Sequence, residues 1–137
     1  MNEKEEIIEL WNTYSSQTDD ITHKRQTINS FYLTIEIAIL GFILTDFSKY
    51  GICLTIIGMI IACIWLMMIF NYRKLSQAKY SVLLNIEETL SIKPYNKEWE
   101  ILKKKRYIGL TMIEIATALI FLLSFVSILF LVIFQIL

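Results

Sequence analysis

Three long apolar runs divide this chain, and the segments between them are polar. The runs cover about 28–44, 52–70 and 108–137, and the second run contains no charged residue. The span predicted from the first run extends to about residue 46. A helix needs about 20 mostly apolar residues to cross the hydrocarbon core of a bilayer. The runs therefore predict an all-α integral membrane protein with three transmembrane helices. The short connection 47–51 predicts that the first two helices form an antiparallel hairpin.

The N-terminal segment, 1–27, is predicted to form an amphipathic helix outside the membrane. Ile7, Trp11 and Tyr14 fall on one face at helical spacing. The Thr-Asp-Asp run at 18–20 offers side-chain acceptors for an N-cap. A separate helix is therefore expected to begin there and to enter the first span.

Segment 71–107 is predicted to form a helical hairpin. No helix breaker separates it from the second span, so one helix is expected from about Ile52 to Leu90. Pro94 restricts the residue before it, and a second helix is expected from near Asn96 toward the third span. The predicted buried face of the long helix carries apolar residues at helical spacing, namely Leu75, Ala78, Val82, Ile86 and Leu90.

The amphipathic pieces of 1–27 and 71–107 are expected to pack together as a bundle. The alternative is that they lie on the membrane surface. The bundle is favoured because anionic lipid would repel the acidic N-terminal piece. Aromatic contacts are expected from Trp11, Tyr14, Tyr80, Tyr95 and Trp99.

Basic residues are distributed unevenly around the spans. Twelve of the thirteen Lys and Arg residues precede the first span or lie between the second and third, and Lys49 is the exception. The positive-inside rule then places the N-terminus and 71–107 in the cytoplasm and the C-terminus outside. The basic run 103–106 is expected to anchor the chain at the membrane edge rather than to form a specific lipid or nucleic-acid site. Net charge is zero, so no nucleic-acid partner is expected.

The residue types available limit the chemistry. Cys53 and Cys63 are ten residues apart, which on one helix is about 15 Å and too far for a disulfide. The single histidine, His23, gives no zinc-binding spacing. No metal or other cofactor is expected. An enzyme is not expected either, because the apolar runs offer no His or Asp to act as an acid or a base.

Two carboxylates, Glu36 and Glu114, are the only formal charges inside the apolar runs. A charge in hydrocarbon costs at least a few kcal/mol, so such residues usually face protein or water and often carry function. In an oligomer they would form rings of carboxylates, which favour cations or relay protons. The alternative is that both are buried and hydrogen-bonded within the helix packing. Other polar residues of the first and third spans are Asn29, Thr117, Ser124 and Gln135.

Small residues recur along the first two spans at steps of three or four. Such stripes let helix backbones approach closely in lipid. The stripes can pack against each other within the hairpin or against another subunit. Glu36 lies roughly 160–200° around the helix from the first stripe. Because three helices have little interior for two carboxylates, we predict a homo-oligomer. The stripes comprise Ser30, Thr34, Ala38 and Gly41 in the first span and Gly51, Thr55, Gly58 and Ala62 in the second.

Eight residues from the second span onward form a recognisable set, namely Trp65, Tyr72, Arg73, Lys79, Glu87, Pro94, Glu98 and Trp99. The pattern is similar to the RipA-like family of small bacterial inner-membrane proteins. The resemblance implies a homo-octamer in that membrane and leaves the molecular activity open. Ser91 departs from the pattern, because a Pro is expected after Leu90.

Two of those residues, Arg73 and Lys79, are basic and invite a functional interpretation. The simpler expectation is that they form ion pairs between helices. The alternative is contact with a lipid headgroup or a ligand. The acidic residues available as partners are Glu87, Glu88, Glu98 and Glu100.

Two functions fit this sequence. In the first, the chain forms a non-enzymatic homo-oligomer with a pore, or a cation or proton pathway, lined by the intramembrane carboxylates. In the second, the oligomer is a membrane scaffold, sensor or effector whose cytoplasmic bundle binds a protein partner, as in stress response or phage defence.

Overall fold

The chain folds almost entirely as helix. The computed structural model describes residues 2–47, 50–90, 93–104 and 109–134, without the side chains at 99, 102–104 and 110. About 92% of the described residues are helical. The helices, in chain order, are α1 (Glu3–Thr45), α2 (Gly51–Glu87), α3 (Pro94–Lys104) and α4 (Leu110–Ile133).

Three of these helices are long and apolar enough to cross a membrane. Their most apolar stretches have mean hydropathies of 1.7 in α1, 2.8 in α2 and 2.8 in α4. Helix α3 has 11 residues, which is too short to span the hydrocarbon core. The prediction of an all-α membrane protein with three spans is confirmed.

Helix α1 runs without interruption from the N-terminal segment through the first span. Its 43 residues extend about 65 Å, roughly twice the thickness of the hydrocarbon core. The expected N-cap at 18–20 is therefore wrong. Thr18 is buried within α1, and its hydroxyl donates to the Tyr14 carbonyl at 2.8 Å. Thr tolerates a helix interior when its hydroxyl bonds to the carbonyl four residues earlier in this way.

Helix α2 is continuous from the second span into the polar segment, as the absence of a breaker predicts. It ends at Glu87, three residues before the expected Leu90. The Thr89 hydroxyl donates to the Ile86 carbonyl at 2.7 Å and so satisfies one acceptor at the helix end. Helix α3 begins at Pro94. Pro suits the first position of a helix because its missing N–H has no partner there.

One row of side chains along α2 is the least exposed. From the first residue of α2 to Leu83, successive members of the row are alternately four and three residues apart. This is the spacing of coiled-coil packing. The row ends at Glu87. It consists of Gly51, Thr55, Gly58, Ala62, Trp65, Ile69, Tyr72, Ser76, Lys79, Leu83 and Glu87.

The apolar face predicted to be buried in the second half of α2 is only partly buried, with Ile86 and Leu90 half-buried toward its end. Leu75 and Val82 are 44% and 38% exposed, and Ala78 between them is also exposed. The inward positions in this half include Lys79 and Glu87, so polar side chains of α2 are not confined to its exposed face. The reason is that Lys79 and Glu87 find polar partners inside the bundle, as described below.

The described chain divides into two compact units. Unit 2 consists of Gln26–Phe70 and Leu110–Leu137 and contains the membrane-spanning parts of three helices. In its most apolar stretch α2 has 28% of its residues buried, against 11% for α1 and 11% for α4. Helix α2 is therefore the central helix of this unit. Its core consists of Trp65, Ile69 and Ala118, with Tyr32, Leu33, Leu66, Ile115 and Phe121 packed against them.

Unit 1 consists of Met1–Arg25 and Asn71–Gly109. The Trp11 and Tyr95 rings lie 6.0 Å apart, and Tyr80 meets Tyr95 edge-on at 5.7 Å. The Ser15 and Tyr95 hydroxyls are 2.9 Å apart and share a hydrogen bond. The amphipathic pieces therefore pack as a bundle with aromatic contacts, as predicted. The Trp99 side chain lies outside the described part.

Candidate functional site

Glu36 lies on the inward face of α1 in unit 2. It is one turn beyond Tyr32 and Leu33, which pack on the core, and its exposed fraction is 0%. Neither carboxylate oxygen has a hydrogen-bond partner among the described residues. Of the two alternatives for this residue, burial is correct, and a hydrogen bond within the described packing is not found.

Close to Glu36 on the same helix face, Asn29 holds the central Trp65. The Trp65 Nε1–H donates to Asn29 Oδ1 at 2.8 Å. The Trp65 ring stacks on Tyr32 with centroids 6.0 Å apart and an interplanar angle of 7°, and Phe121 of α4 contacts it at 6.3 Å. This contact joins α1, α2 and α4 at one level. The wall beside Glu36 is therefore aromatic, and the Trp65 N–H and Asn29 Oδ1 in it are paired with each other.

Several hydroxyl groups of the membrane helices are satisfied within their own helices. Thr117 and Ser124 donate to carbonyls four residues earlier at 2.9 and 2.8 Å. Thr34 and Thr55 do the same in α1 and α2, each at 2.8 Å. Thr117 and Ser124 of the third span therefore need neither water nor another helix to satisfy their hydroxyls. Glu36 differs from them because no backbone carbonyl can serve an ionised carboxylate.

Glu114 lies on the inward side of α4. It is half-buried and precedes the buried Ala118 by four residues on the same helix face. It is more accessible than Glu36. Sequence reasoning gave both carboxylates the same two alternatives, a carboxylate ring or burial in the helix packing, and their burial separates them.

The two small-residue stripes have different environments. Gly58 lies against Phe125 of α4, and a Cβ built on it would be 2.6 Å from the ring. The α2 stripe is buried, whereas on α1 the stripe of Ser30, Thr34, Ala38 and Gly41 is exposed. The two stripes therefore do not pack against each other within the hairpin. The carboxylate side of α1 faces inward and the small-residue side faces outward.

A second buried carboxylate, Glu87, joins the three helices of unit 1. Its exposed fraction is 1%. Its Oε1 accepts hydrogen bonds from Trp11 Nε1–H and from the Tyr95 backbone N–H, each at 3.2 Å. Oε2 is buried without a hydrogen bond to any described residue. The Tyr95 N–H is one of the donors left unpaired at the start of α3, so Glu87 caps that helix from α2.

Sequence reasoning named Glu87 for the resemblance and as an ion-pair partner, and missed this capping role. A usable signal was its position four residues after Leu83 and just before a helix that begins with Pro94. Lys79 does not pair with an acidic residue in the described contacts. Its Nζ donates to Gln17 Oε1 at 2.6 Å and lies 5.7 Å from the Tyr14 ring centroid.

The other singled-out residues are dispersed. Tyr72 is half-buried, Arg73 and Glu98 are exposed, and Pro94 begins α3. No three His, Cys, Asp or Glu side chains in the described part of the chain are grouped as metal ligands. Predictions for Gln135 and Ser91, and for the side chains of Trp99 and the basic run 103–106, lie outside the described residues.

Comparison with known proteins identifies the family. A family model matches residues 8–134, and its description is the Octameric membrane protein family (8xMP). The chain belongs to this family. The match includes all three spans and nearly all of both compact units. No curated protein and no solved structure matches the chain.

Membership in the octameric membrane protein family implies that the chain associates with copies of itself. This confirms the predicted homo-oligomer at the level of the family. The family description names no activity, and the more specific RipA-like resemblance stays a prediction. The exposed face of α1 carries small residues. Membrane helices associate through such residues, so this face is suited to self-association.

Proposed function

We propose that eight copies of this chain form a non-enzymatic assembly in the bacterial inner membrane that carries protons through Glu36. The family supports the octamer, and the resemblance to RipA-like proteins supports the membrane. The apolar runs hold no His or Asp to work with the two glutamates in covalent chemistry. The basic residues support a cytoplasmic N-terminus and an external C-terminus.

The observation that carries this proposal is the burial of Glu36 without a hydrogen-bond partner among the described residues. A buried charge that lacks a partner costs several kcal/mol. Polar residues placed at such cost within membrane helices are usually functional. The neighbouring Asn29 is already bonded to Trp65. The Glu36 carboxylate is therefore left to exchange a proton.

A proton pathway fits the burial of Glu36 better than an open cation pore does. A pore lined by a carboxylate ring needs those carboxylates to face a lumen, and Glu36 is fully enclosed in its own protomer. Protons need only a chain of groups that can accept and release them. Glu114 is half-buried on α4 of the same unit. We assign it to the proton pathway as the second proton-carrying carboxylate.

Proton flux in liposomes tests the proposal. Purified protein is reconstituted in vesicles that contain a pH-sensitive dye, and a potassium gradient with valinomycin drives proton entry. We expect flux in the wild type and at least a tenfold loss in Glu36→Gln, which keeps the shape of the side chain and removes the titratable proton. Glu114→Gln should reduce flux less, because that residue is more accessible.

Thr117→Val is the matched control for Glu36→Gln. Thr117 lies on α4 in the same unit, outside the small-residue face of α1, and its hydroxyl donates to the Ile113 carbonyl of its own helix. Its flux should equal that of the wild type. A wild type without flux, or a Glu36→Gln protein with full flux, would refute the proton pathway and leave the octamer as a separate question.

A scaffold or sensor function is the second candidate, and an exposed apolar face of unit 1 favours it. Leu75, Ala78 and Val82 lie on one side of α2 and are exposed. Apolar surface of this kind often marks a protein interface. A photoreactive residue at Leu75 should then cross-link a second protein in cells, and one at the adjacent Lys74 should do so less. Products that contain only this chain would assign the face to the assembly instead.

A further inference from the structure

A shallow cleft in unit 1 brings two aromatic rings and a carboxylate together. Trp11, Pro94, Tyr95 and Glu98 line it, and its volume is about 240 Å³. Drug-sized ligands occupy pockets of about 300–1,000 Å³. The cleft therefore suits one small chemical group rather than a large molecule.

The aromatic walls of the cleft are held in place at several points. The Trp11 and Tyr95 rings are 6.0 Å apart and inclined at 53°. Tyr80 packs edge-on against Tyr95, and the Tyr95 hydroxyl bonds to Ser15. The Trp11 indole N–H is fixed by Glu87. Walls that are already ordered lose little entropy when a ligand binds.

The cleft has a second carboxylate behind its aromatic walls. Glu87 Oε1 accepts hydrogen bonds from Trp11 and Tyr95, the two residues whose rings form the walls. Glu87 Oε2 is buried and has no hydrogen bond to any described residue. Glu98 lines the cleft together with Trp11 and Tyr95. The cleft therefore combines one acidic side chain of its own with a buried carboxylate that is bonded to two of its lining residues.

An anion does not suit this cleft, although α3 begins beside it. Helix N-termini bind anions through free backbone N–H groups. Pro94 has no N–H, and the Tyr95 N–H already donates to Glu87. The first two positions of α3 therefore offer no free N–H, and the charged residue among those that line the cleft is the acidic Glu98.

We propose that the cleft binds an organic ammonium group. The faces of Trp and Tyr rings attract ammonium ions through their electron-rich centres, and quaternary ammonium groups are often bound between such rings. The ammonium can belong to a small soluble amine or to a phospholipid headgroup, since the recognised chemistry is the same. The proposal concerns unit 1 alone and does not depend on proton transport.

Titration calorimetry on the full-length complex in detergent tests the site with tetramethylammonium chloride. Sodium chloride at equal concentration is the blank. We expect saturable binding by the wild type. Glu98→Gln and Trp11→Leu should each weaken it by about 3-fold to 30-fold, the range that corresponds to single cation–aromatic or charge contacts.

Glu100→Gln is the matched control, because Glu100 is also exposed on α3 but does not line the cleft. Its affinity should equal that of the wild type. Glu98 is exposed, so its variant should fold even if Trp11→Leu does not. No saturable heat in the wild type, equal affinities of Glu98→Gln and Glu100→Gln, or competition by inorganic phosphate would overturn the proposal.

Competition then separates the two sources of the ammonium group. If a short-chain lipid with a choline headgroup displaces tetramethylammonium and free choline or putrescine does not, the group comes from lipid. If the soluble amines displace it and the lipid does not, the ligand is a soluble amine. Either result supports the ammonium site.

Discussion

At the scale of single residues, two buried glutamates have different tasks. Glu87 gives one oxygen to two hydrogen bonds and so links α1, α2 and α3 within unit 1. Glu36 gives neither oxygen to a described partner. The first arrangement is typical of a structural residue, because its removal would leave the Trp11 and Tyr95 donors unpaired. The second arrangement, that of Glu36, is typical of a functional residue such as one that exchanges protons.

Replacing Trp11 by Phe should destabilise unit 1. The variant keeps an aromatic ring but removes the indole N–H that donates to Glu87, and it leaves the buried carboxylate with the Tyr95 N–H alone. We expect the free energy of unfolding to fall by about 1–3 kcal/mol, measured by denaturant titration of the complex with helix content as the signal.

A Glu87→Ala background is the control for this prediction. Without the carboxylate, Trp11→Phe should cost clearly less, and the difference is the coupling energy of the pair. An equal loss in both backgrounds would mean that the ring, and not the hydrogen bond, accounts for the effect.

At the scale of elements, α2 organises both units through one row of inward side chains. In the membrane half the row begins with small residues, which let α4 approach closely at Gly58. In the other half it includes Lys79 and Glu87, whose polar partners lie on α1 and α3. One row of α2 residues at a single spacing therefore supports close helix packing in unit 2 and polar contacts in unit 1.

Gly58→Ala should destabilise unit 2, whereas Gly41→Ala should not. A Cβ at Gly58 would lie 2.6 Å from Phe125, and no atom lies within 4 Å of one at Gly41. Overpacking costs about 1–3 kcal/mol, and Gly→Ala in an exposed helix is neutral or favourable by up to about 1 kcal/mol. Unfolding in a titration with SDS measures both variants, and equal stabilities would contradict the packing at Gly58.

The number and type of the membrane helices could be predicted from the sequence, since long apolar runs have few alternatives. The inward faces could not. Lipid is as apolar as a protein core, so hydrophobicity does not show which face of a membrane helix is buried. It could not show that the Glu36 face of α1 is buried and the Gly41 face is exposed. In unit 1 the apolar pattern favoured Leu75 and Val82, but the hydrogen bonds of Glu87 decided which side of α2 is buried. One of those bonds joins Trp11 and Glu87, which are 76 positions apart in the chain.

At the scale of the whole molecule, self-association is the property that family membership implies. In the protomer the membrane-spanning part of α1 is mostly exposed, and its outward face carries the small residues. We expect this face to contact a neighbouring copy, because close approach of backbones is what small residues allow in lipid.

The mass of the purified complex checks this expectation. Native mass spectrometry should give eight times the protomer mass of 16.1 kDa. Gly41→Leu should shift the distribution toward smaller species without loss of helix content, whereas Cys53→Leu, at an exposed position of α2, should not. A monomeric wild type would contradict the assembly, and an intact octamer of Gly41→Leu would place the contact elsewhere.

The regular row along α2 also limits how the length of this helix can change. Deleting one residue near Phe70 would turn every later side chain of α2 by about 100°, so Leu83 and Glu87 would leave the row. Deleting seven residues would leave a mismatch of only about 20°. Related chains that differ in length within α2 are therefore expected to differ by whole heptads, and a chimera should be joined at equivalent heptad positions.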